Sequence, residues 1–275
     1  MKSIVIFVTV CAMLLLQFVQ ATAADILVIG VAPHTSARII LEMYQPLRLH
    51  LEKSLGMPVD IVTATDFNAF ARRGLAQEFD VAITTGQQAR LLQVDAGYQP
   101  LVTYKADFKA VALVPSTAHY RSAADLKGKT ALGLSPTSQV TVWGQHWLAD
   151  NSLQGMPIKY VSASDSVAHL LVAGEAAVGF TSLANYQKLP LDLRGKLHLF
   201  AQSKSMPGRV YMLNKRRAAL KKKIEVALRG FAASAEGKQY FNSNKLEGYR
   251  LLKRDELKSM DHFAEEVRKV LASEK

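Results

Sequence analysis

The chain has 275 residues, of which 49% are hydrophobic and 21% are charged, and its formal net charge is +11 at pH 7. That length is sufficient for one large or two medium-sized α/β domains. The single cysteine, Cys11, lies in the N-terminal apolar run. A chain cleaved after that run would contain none, which excludes disulfides, thiolate nucleophiles and thiolate metal ligands.

The N-terminal stretch has the features of a secretory signal peptide. Lys2 precedes an apolar run at 4–19, and small residues follow up to Ala24. Cleavage near Ala24 would remove residues 1–24 as the signal peptide, and a retained membrane anchor is the alternative. Cys11 lies inside the apolar run rather than at its end, which argues against a lipoprotein. We therefore expect a protein exported to the periplasm.

The excess of positive charge first suggests a nucleic-acid partner, and export argues against one. Loss of Lys2 with the signal peptide leaves 33 basic and 23 acidic residues, a net charge of about +10. Many of the basic residues lie at 215–223 and in the predicted C-terminal helices. Such charge can steer anionic ligands or favour the anionic membrane surface, and a solvated helix face is the simpler explanation.

Three strand-to-helix units follow, and each strand ends near Thr, Ser or Asp. The strands are predicted at 25–31, 59–64 and 80–84. Apolar residues at helical spacing predict a helix after the first strand, with a kink at Pro46 and a stop at Gly56. Asp66 is the predicted N-cap of the next helix, 68–77. Parallel strands of this kind place their carboxyl ends at one edge, where ligands bind in open α/β sheets.

The same alternation resumes after an extended run at 104–115, which can cross into another domain. Further strands are predicted at 130–134, 157–161, 176–180, 197–202 and 209–213. Further helices are predicted at 122–129, 165–173, 216–233, 238–241 and 254–271. Because the chain crosses twice, we predict one discontinuous domain, 25–105 with 203–275, and one inserted domain, 106–202. A cleft would lie between them.

The segment 131–147, ALGLSPTSQVTVWGQHW, combines a short strand with a helix start rich in hydroxyls. Pro136 is predicted just inside the helix, with Thr137, Ser138 and Thr141 around its first turn. The first N–H groups of a helix lack internal partners and the helix dipole makes that end partly positive, so a small oxyanion can bind there without Arg or Lys. Ordinary N-capping by Ser and Thr is the alternative.

Polar side chains at the predicted strand ends and turns are the candidate ligand-binding residues. They are His34, Thr35, Asp66, Thr84, Thr85, Gln87, Tyr104, Ser135, Thr137, Ser138, Thr181 and Ser182. Each has a plainer alternative. His34 could be a solvated loop histidine, Asp66 a simple N-cap, Tyr104 a core aromatic, and the hydroxyls simple caps.

The sequence gives little support for a metal site, a nucleotide cofactor or ligand stacking on tryptophan. None of the seven histidines pairs with another at HxH or HxxxH spacing, so no metal site is predicted. The phosphate-loop patterns GxGxxG and GxxxxGK[ST] are absent from the sequence, so no nucleotide cofactor is predicted. Trp143 and Trp147 lie four residues apart on one helix face, which indicates core packing rather than ligand stacking.

Several stretches, taken in order, resemble the solute-binding proteins of phosphate, phosphite and phosphonate ABC transporters. They are VIGVAPHTS, YQPLRLHLEKSLGMPVDIVTATDFNAF, DVAITTG, SAADLKGKTALGLSPTS, GEAAVGFTS and MPGRVYML. The phrase SAADLKGKTALG is shared by many type II periplasmic binding proteins and specifies the fold more than the ligand. The resemblance implies two α/β lobes joined by a two-segment hinge, with an interdomain cleft that closes around a ligand.

The resemblance also implies ligand-binding positions at which this chain differs. Relatives that bind phosphonate have a Tyr where this chain has Phe67, an aromatic residue near Ala89 or Arg90, and a His near Ser164. The acidic residue that holds an amino group on the ligand falls at Thr181. The hydroxyl segment SPTS is retained while that acid is missing. We therefore expect an anion-binding site without a subsite for an aminoalkyl tail.

The function implied by the resemblance is capture of a small anionic solute and its delivery to an ABC permease. The protein would act as a monomer without a cofactor. One alternative is a sensor module for a membrane histidine kinase or chemoreceptor. Another is an enzyme, because this fold also hosts porphobilinogen deaminase. That enzyme attaches its cofactor to a cysteine, which the mature chain would lack, and no nucleophile–base pair can be named.

Overall fold

The computed structural model describes residues 25–273, which form two sheets with helices packed against them. The predicted signal peptide, residues 1–24, lies outside the described residues. Within 25–273, no helix combines the length and the apolar character needed to cross a membrane.

The strands and helices of the described range follow the predicted alternation, with shifts of one to three residues at most boundaries. The strands are β1 Leu27–Val31, β2 Val59–Val62, β3 Val81–Thr84, β4 Gln99–Tyr104, β5 Ala110–Pro115, β6 Ala131–Gly133, β7 Ile158–Tyr160, β8 Val178–Ser182, β9 Leu197–Gln202, β10 Val210–Leu213 and β11 Tyr249–Arg250. The α-helices are α1 Ala37–Leu55, α2 Phe67–Leu75, α3 Gly86–Asp95, α4 Gln139–Asp150, α5 Ser164–Val172, α6 Leu183–Lys188, α7 Leu191–Arg194, α8 Lys221–Ala233, α9 Ala235–Asn244 and α10 Asp261–Ser273. Short 3-10 helices lie at Ala123–Leu126, Lys215–Leu220 and Glu256–Met260.

Two mixed sheets define two lobes. The first sheet has the order β11-β4-β10-β3-β1-β2 and the second has the order β7-β6-β8-β5-β9. The predicted parallel arrangement of β1, β2 and β3 is present, while β10 runs antiparallel between β3 and β4. In the second sheet β6 is parallel to its neighbours and β5 is antiparallel to β8 and β9. We call the first sheet with its helices the first lobe, and the second sheet with its helices the second lobe.

The chain passes between the lobes twice, at 105–109 and at 203–209. The extended run predicted at 104–115 is the end of β4, the first crossing and β5. The two crossings lie side by side, because Phe108 pairs with Met206 in an antiparallel bridge and the Met206 N–H donates to the Phe108 carbonyl at 2.9 Å. This pairing forms the two-segment hinge. The exact domain boundaries, 25–105 with 203–275 and 106–202, remain a proposal, which the division of the strands supports.

Amphipathic spacing explains the helix that follows β1. Ile40, Tyr44, Leu47 and Leu51 of α1 are all buried, and their 3–4-residue spacing places them on one face. The helix ends at Gly56, whose φ of 69° is the left-handed conformation that glycine adopts without a Cβ penalty. The helix is continuous through its internal proline.

The helix after β6 begins later than the sequence predicts. Pro136 was placed just inside it, whereas α4 starts at Gln139 and Pro136 lies in the loop before it. Ser138 is the N-cap, and its Oγ accepts a hydrogen bond from the Thr141 N–H at 3.3 Å. Ser138 satisfies a first-turn N–H, whereas Pro136, two residues earlier, has no side-chain acceptor.

Trp143 and Trp147 of α4 pack into the second lobe. Their ring centroids lie 6.4 Å apart, and each ring contacts Phe180 edge-on at 6.1 and 6.3 Å. Phe180 is fully buried on β8. The two tryptophans therefore fix α4 against the second sheet, which positions the N-terminus of that helix at the boundary between the lobes.

Candidate ligand-binding cleft between the lobes

A cavity of about 70 Å³ lies between the lobes beside the hinge. On the scale where one water needs roughly 10–15 Å³, it holds about five water-sized groups. Its polar lining includes His34, Thr85, Ser138, Gln139, Ser182, Asn185 and Arg209. Its apolar lining includes Phe67, Phe108, Leu134, Val140 and Leu246. Both lobes and both crossings contribute, as expected for a site that forms when the lobes close.

The predicted hydroxyls at the end of β3 have different roles. The Thr84 Oγ1 donates to the Gln88 Oε1 at 2.8 Å, so this hydroxyl is used within the first lobe. Thr85 is the N-cap of α3 and lines the cavity. Its Oγ1 is buried without a hydrogen-bond partner among the described residues.

The SPTS segment supplies side chains to the cleft and to the closure of the lobes. The Thr137 Oγ1 donates to the Asn68 Oδ1 of the first lobe at 2.6 Å. The Ser138 Oγ lines the cavity and donates to the Thr141 Oγ1 at 2.8 Å. The Ser135 Oγ is buried without a partner. Of the three predicted hydroxyls, Thr137 holds the lobes together, Ser138 faces the cavity and Ser135 lines an adjacent hollow.

Two hydroxyls lie at the end of β8. The Ser182 Oγ accepts from the Asn185 N–H at 3.1 Å and lines the cavity, so it caps α6 while facing the cleft. The Thr181 side chain is buried, and its Oγ1 has no partner among the described residues.

Four buried side-chain atoms of residues 25–273 lack a hydrogen-bond partner, and all four belong to residues that the sequence predicted as ligand-binding. They are Thr85 Oγ1, Gln87 Oε1, Ser135 Oγ and Thr181 Oγ1. A buried polar atom left unpaired costs about 1–3 kcal/mol. Native proteins rarely keep several such atoms close to one cleft unless water or a ligand satisfies them.

Hydrogen bonds between the lobes hold this cleft closed. The Gln139 side chain of α4 makes one of them and also bonds the hinge, because its Oε1 accepts from the Gly86 N–H at 2.9 Å and its Nε2 donates to the Pro207 carbonyl of the second crossing at 3.0 Å. The Gln87 Nε2 donates to the Thr137 carbonyl at 2.9 Å. These contacts join the helix N-termini of the two lobes to each other.

A further bond joins the lobes at the opposite wall. The Ser164 Oγ donates to the His34 carbonyl at 3.0 Å. Ser164 stands near the position where the resembling phosphonate binders carry a histidine, and here it serves closure.

Arg209 is a cavity residue that the sequence analysis missed. It directly precedes β10, and its Nη1 lies 3.0 Å from the His34 Nε2 and 3.3 Å from the Tyr44 hydroxyl. Its guanidinium carbon lies 5.4 Å from the centre of the Tyr104 ring. No described carboxylate forms an ion pair with it. An arginine stays protonated at every accessible pH, so the cleft contains a positive charge without a negative partner among residues 25–273.

Neutral groups surround that charge. The Tyr104 hydroxyl lies 2.8 Å from the Tyr211 hydroxyl and 2.6 Å from the Tyr240 hydroxyl, and burial raises the pKa of Tyr104 well above its usual range. Burial, and then the charge of Arg209, holds the pKa of His34 well below its usual range. The tyrosines and His34 are therefore uncharged near pH 7. Tyr104 combines both predicted roles, since it belongs to the core and also lines the cavity.

The remaining predicted residues lie at the margin or outside the cavity. Thr35 lines a neighbouring cavity of about 360 Å³ that shares His34 and Arg209 with the first. Asp66 is exposed and is the N-cap of α2, since its Oδ1 accepts from the Ala69 N–H at 2.8 Å. Among the residues that the structure describes, the only carboxylate on the lining of the interlobe cavity is the exposed Asp107.

Comparison with known proteins agrees with this architecture. Residues 29–257 match the family model described as the periplasmic substrate-binding protein of phosphonate ABC transporters. A search of the curated proteins found no match.

Solved structures share the fold at low sequence identity. PhnD1 from Prochlorococcus marinus, solved with methylphosphonate, superposes with a TM-score of 0.79 at 13% identity, over 89% of this chain and 98% of that one. A binding-protein component of an ABC phosphonate transporter from Pseudomonas aeruginosa gives 0.76 at 14% identity, over 91% and 99%. A Xanthomonas citri protein solved with chloride gives 0.72 at 18% identity, over 89% and 99%. The predicted type II periplasmic binding protein fold is thereby confirmed.

Proposed function

The chain belongs to the family of periplasmic substrate-binding proteins of phosphonate ABC transporters, and on that premise we propose that its own ligand is a small oxyanion of the phosphate, phosphite or phosphonate class. The ligand is held by Arg209 and by the hydroxyls that converge on the interlobe cavity. Closure of the two lobes around it presents the loaded protein to the permease. PhnD1 from Prochlorococcus marinus, which has this fold, was solved with a ligand of this class.

The single observation that carries the proposal is the unbalanced charge of Arg209. Removing a guanidinium from water without an anionic partner is unfavourable, and no described carboxylate pairs with it. A bound oxyanion supplies that partner and accepts from the planar fork of N–H donors. The unpaired hydroxyl of Thr85 on the same cavity, and the helix N-terminus at Ser138, add donors suited to the remaining oxygens.

The size and charge of the cavity narrow the ligand class. Room for roughly five water-sized groups suits an anion of about five non-hydrogen atoms, the size of phosphate or methylphosphonate. Arg209 on the interlobe cavity and Lys188 on the neighbouring cavity both lower the pKa of His34, so positive charge lies around this part of the cleft. An ammonium tail placed there would meet like charges, so aminoalkyl phosphonates are poor ligands. This agrees with Thr181 at the position where the resembling binders carry an acid.

The remaining features of the proposal follow from the family. The protein acts without catalysis or cofactor, as a monomer that lies free in the periplasm after removal of residues 1–24. Its membrane partner is an ABC permease rather than a histidine kinase or a chemoreceptor, because transport is the role of the family whose model matches the chain.

Calorimetry and thermal unfolding with a panel of anions test this proposal. Phosphate, phosphite, methylphosphonate and sulfate are each titrated into the chain, with 2-aminoethylphosphonate as the cationic-tail comparison. At least one phosphorus oxyanion should raise the melting temperature at millimolar concentration, because a ligand that binds only the native state must stabilise it. Failure of all the phosphorus oxyanions would overturn the proposal. Preferential binding of 2-aminoethylphosphonate would overturn the proposal that the site disfavours a ligand with an ammonium tail.

A further inference from the structure

Two histidines and a glutamate from different lobes meet outside the lining of the interlobe cavity. His146 belongs to α4 of the second lobe, and His262 and Glu266 belong to α10 of the first. The His146 Nε2 lies 2.8 Å and the His262 Nε2 3.1 Å from the same carboxylate oxygen, Glu266 Oε1. One potential ligand atom from each residue lies within 4.8 Å of the others.

This geometry suits a tetrahedral transition-metal ion. Zinc binds imidazole nitrogen and carboxylate oxygen at about 2.0–2.2 Å, so donor atoms around it stand about 3.4 Å apart. The two measured separations, 2.8 and 3.1 Å, need only a slight expansion to reach that value. Two imidazoles with one carboxylate is a ligand set that zinc prefers, and a water molecule completes the fourth position. The His146 Nε2 and the Glu266 Oε1 now share a hydrogen bond, which a metal ion would replace.

The surroundings hold His146 and Glu266 in place, while the His262 side chain is 72% exposed. His262 and Glu266 lie four residues apart and so share one face of α10. The Phe263 ring packs edge-on against the His146 ring at 5.2 Å, and the two histidine rings lie 5.1 Å apart. The side chains of His146 and Glu266 are 34% and 29% exposed, which leaves an entry path for an ion.

Helix α10 belongs to the first lobe and helix α4 belongs to the second lobe. Ala264 and Val267 of α10 pack with Leu91 of α3 in the first lobe, and Arg268 of α10 pairs with Asp95 at the end of α3 at 2.9 Å. Helix α4 is fixed to the second sheet through its tryptophans. The His146 ligand therefore joins the other two only while the lobes are together.

We propose that His146, His262 and Glu266 form a zinc site that clasps the two lobes in their closed arrangement. The site lies outside the interlobe cavity and does not require the proposed solute. Because the complete ligand set exists only in the closed form, bound Zn²⁺ stabilises that form, and by reciprocity any condition that favours closure raises the affinity for Zn²⁺. The sequence could not indicate this site, because 116 residues separate the two histidines.

Calorimetric titration of ZnCl₂ into the full chain tests the proposal. The protein is purified without a histidine tag, treated with EDTA and dialysed. One Zn²⁺ per chain should bind with low-micromolar or tighter affinity. The substitutions His262→Ala and Glu266→Gln should each weaken binding by about tenfold or more, because loss of one ligand leaves an incomplete set. His198→Ala, at an exposed histidine away from the cluster, should leave the affinity unchanged.

His146→Ala is the decisive variant, because it removes only the ligand from the second lobe. It should weaken Zn²⁺ binding by about tenfold or more, and it should abolish the rise in melting temperature that Zn²⁺ gives to the unsubstituted chain. Circular dichroism checks that each variant is folded. Equal Zn²⁺ affinity in His146→Ala and the unsubstituted chain would overturn the proposal that Zn²⁺ joins the two lobes. Absence of Zn²⁺ binding to the unsubstituted chain would overturn it as well.

Discussion

Nη1 of Arg209 lies 3.0 Å from Nε2 of His34, which must accept this hydrogen bond through its lone pair. The other ring nitrogen, Nδ1, lies 2.9 Å from the Ala32 carbonyl and donates to it. His34 is therefore the neutral tautomer with its proton on Nδ1, and burial followed by the charge of Arg209 keeps its pKa well below the usual range. The pair carries one positive charge, which belongs to the guanidinium.

Substitution of Arg209 tests which group balances the ligand charge. Arg209→Met keeps much of the side-chain length and removes the charge-assisted hydrogen bonds, each worth about 1.5–3 kcal/mol. Methylphosphonate should then bind about 10- to 150-fold more weakly in calorimetry. Arg121→Met makes the same change of charge at an exposed position and should leave the affinity as it was. Equal losses in the two variants would refute a direct role for Arg209.

His34 predicts a pH dependence of folding stability. Its pKa is lowered by folding, so between the folded pKa and the unfolded value near 6.5 the unfolded chain binds the extra proton. The stabilisation is fully present above pH 6.5 and is lost as the pH falls from 6.5 toward the folded pKa. Urea unfolding from pH 7.5 to 4.5 should therefore show a larger loss of stability for the unsubstituted chain than for His34→Gln, which cannot titrate. Parallel curves for the two proteins would contradict this assignment.

The buried carboxylate of Asp80 fastens the start of β3 to the C-terminal part of the first lobe. It is 2% exposed, accepts from the Val28 N–H at 2.9 Å, and receives Arg216 Nε at 3.0 Å and Arg217 Nε at 2.9 Å. Burial alone would raise the pKa of Asp80, and the bonds from Arg217, Val28 and Arg216 outweigh it, so the pKa lies below its usual range.

Loss of that carboxylate should be costly. Asp80→Asn should lower the free energy of unfolding by about 1.5–3 kcal/mol, because Arg216 and Arg217 lose charge-assisted hydrogen bonds to a buried carboxylate, while Arg217 keeps its ion pair with Asp25. The matched change Asp95→Asn, at the exposed pair with Arg268, should cost about 1 kcal/mol or less. Since the Asp80 pKa is depressed, its stabilisation is present above pH 3.8 and is lost as the pH falls below that value. Similar urea midpoints for the two variants would show that the buried Asp80 contributes no more to stability than the exposed Asp95.

Gln139 should control closure. Its amide makes two hydrogen bonds to the first-lobe and hinge backbone, and each net bond is worth about 0.5–1.5 kcal/mol. Gln139→Leu should therefore weaken methylphosphonate binding by about 5- to 150-fold while the melting temperature without ligand changes little, since the bonds favour the closed state rather than either lobe. Gln154→Leu, at an exposed loop position, is the control. If Gln139→Leu binds methylphosphonate as tightly as the unsubstituted chain, these two hydrogen bonds do not set the equilibrium between the open and closed lobes.

The elements that the sequence predicts well are those specified by local pattern. Apolar spacing and the glycine stop define α1, and Asp66 is the N-cap of α2 as predicted. The retained hydroxyls at strand ends also lie near the cleft, because parallel strands bring their carboxyl ends to one edge whatever the connecting lengths. The start of α4 was misplaced because both a proline and a serine can begin a helix, and only the tertiary position of Ser138 decides between them.

The parts that could not be predicted depend on distant pairs. Arg209 was seen only as the first residue of a strand, because a sequence does not reveal whether an arginine has a carboxylate beside it. Ligand contact by Thr137 stays a prediction, and its donation to Asn68 across the lobes is a second role that the local sequence does not indicate. Gln139 bridges segments more than fifty residues away in either direction, which no local spacing could indicate.

The position of β10 between β3 and β4 also sets the order in which the lobes can be completed. Strands β1 to β4 come first in the chain. The strand that lies between β3 and β4 in the sheet is β10, which begins only at Val210. All five strands of the second sheet, by contrast, come from one continuous stretch that ends at residue 202. The strands of the second sheet are therefore all present before the chain reaches the central strand of the first sheet, and the site between the lobes depends on both sheets.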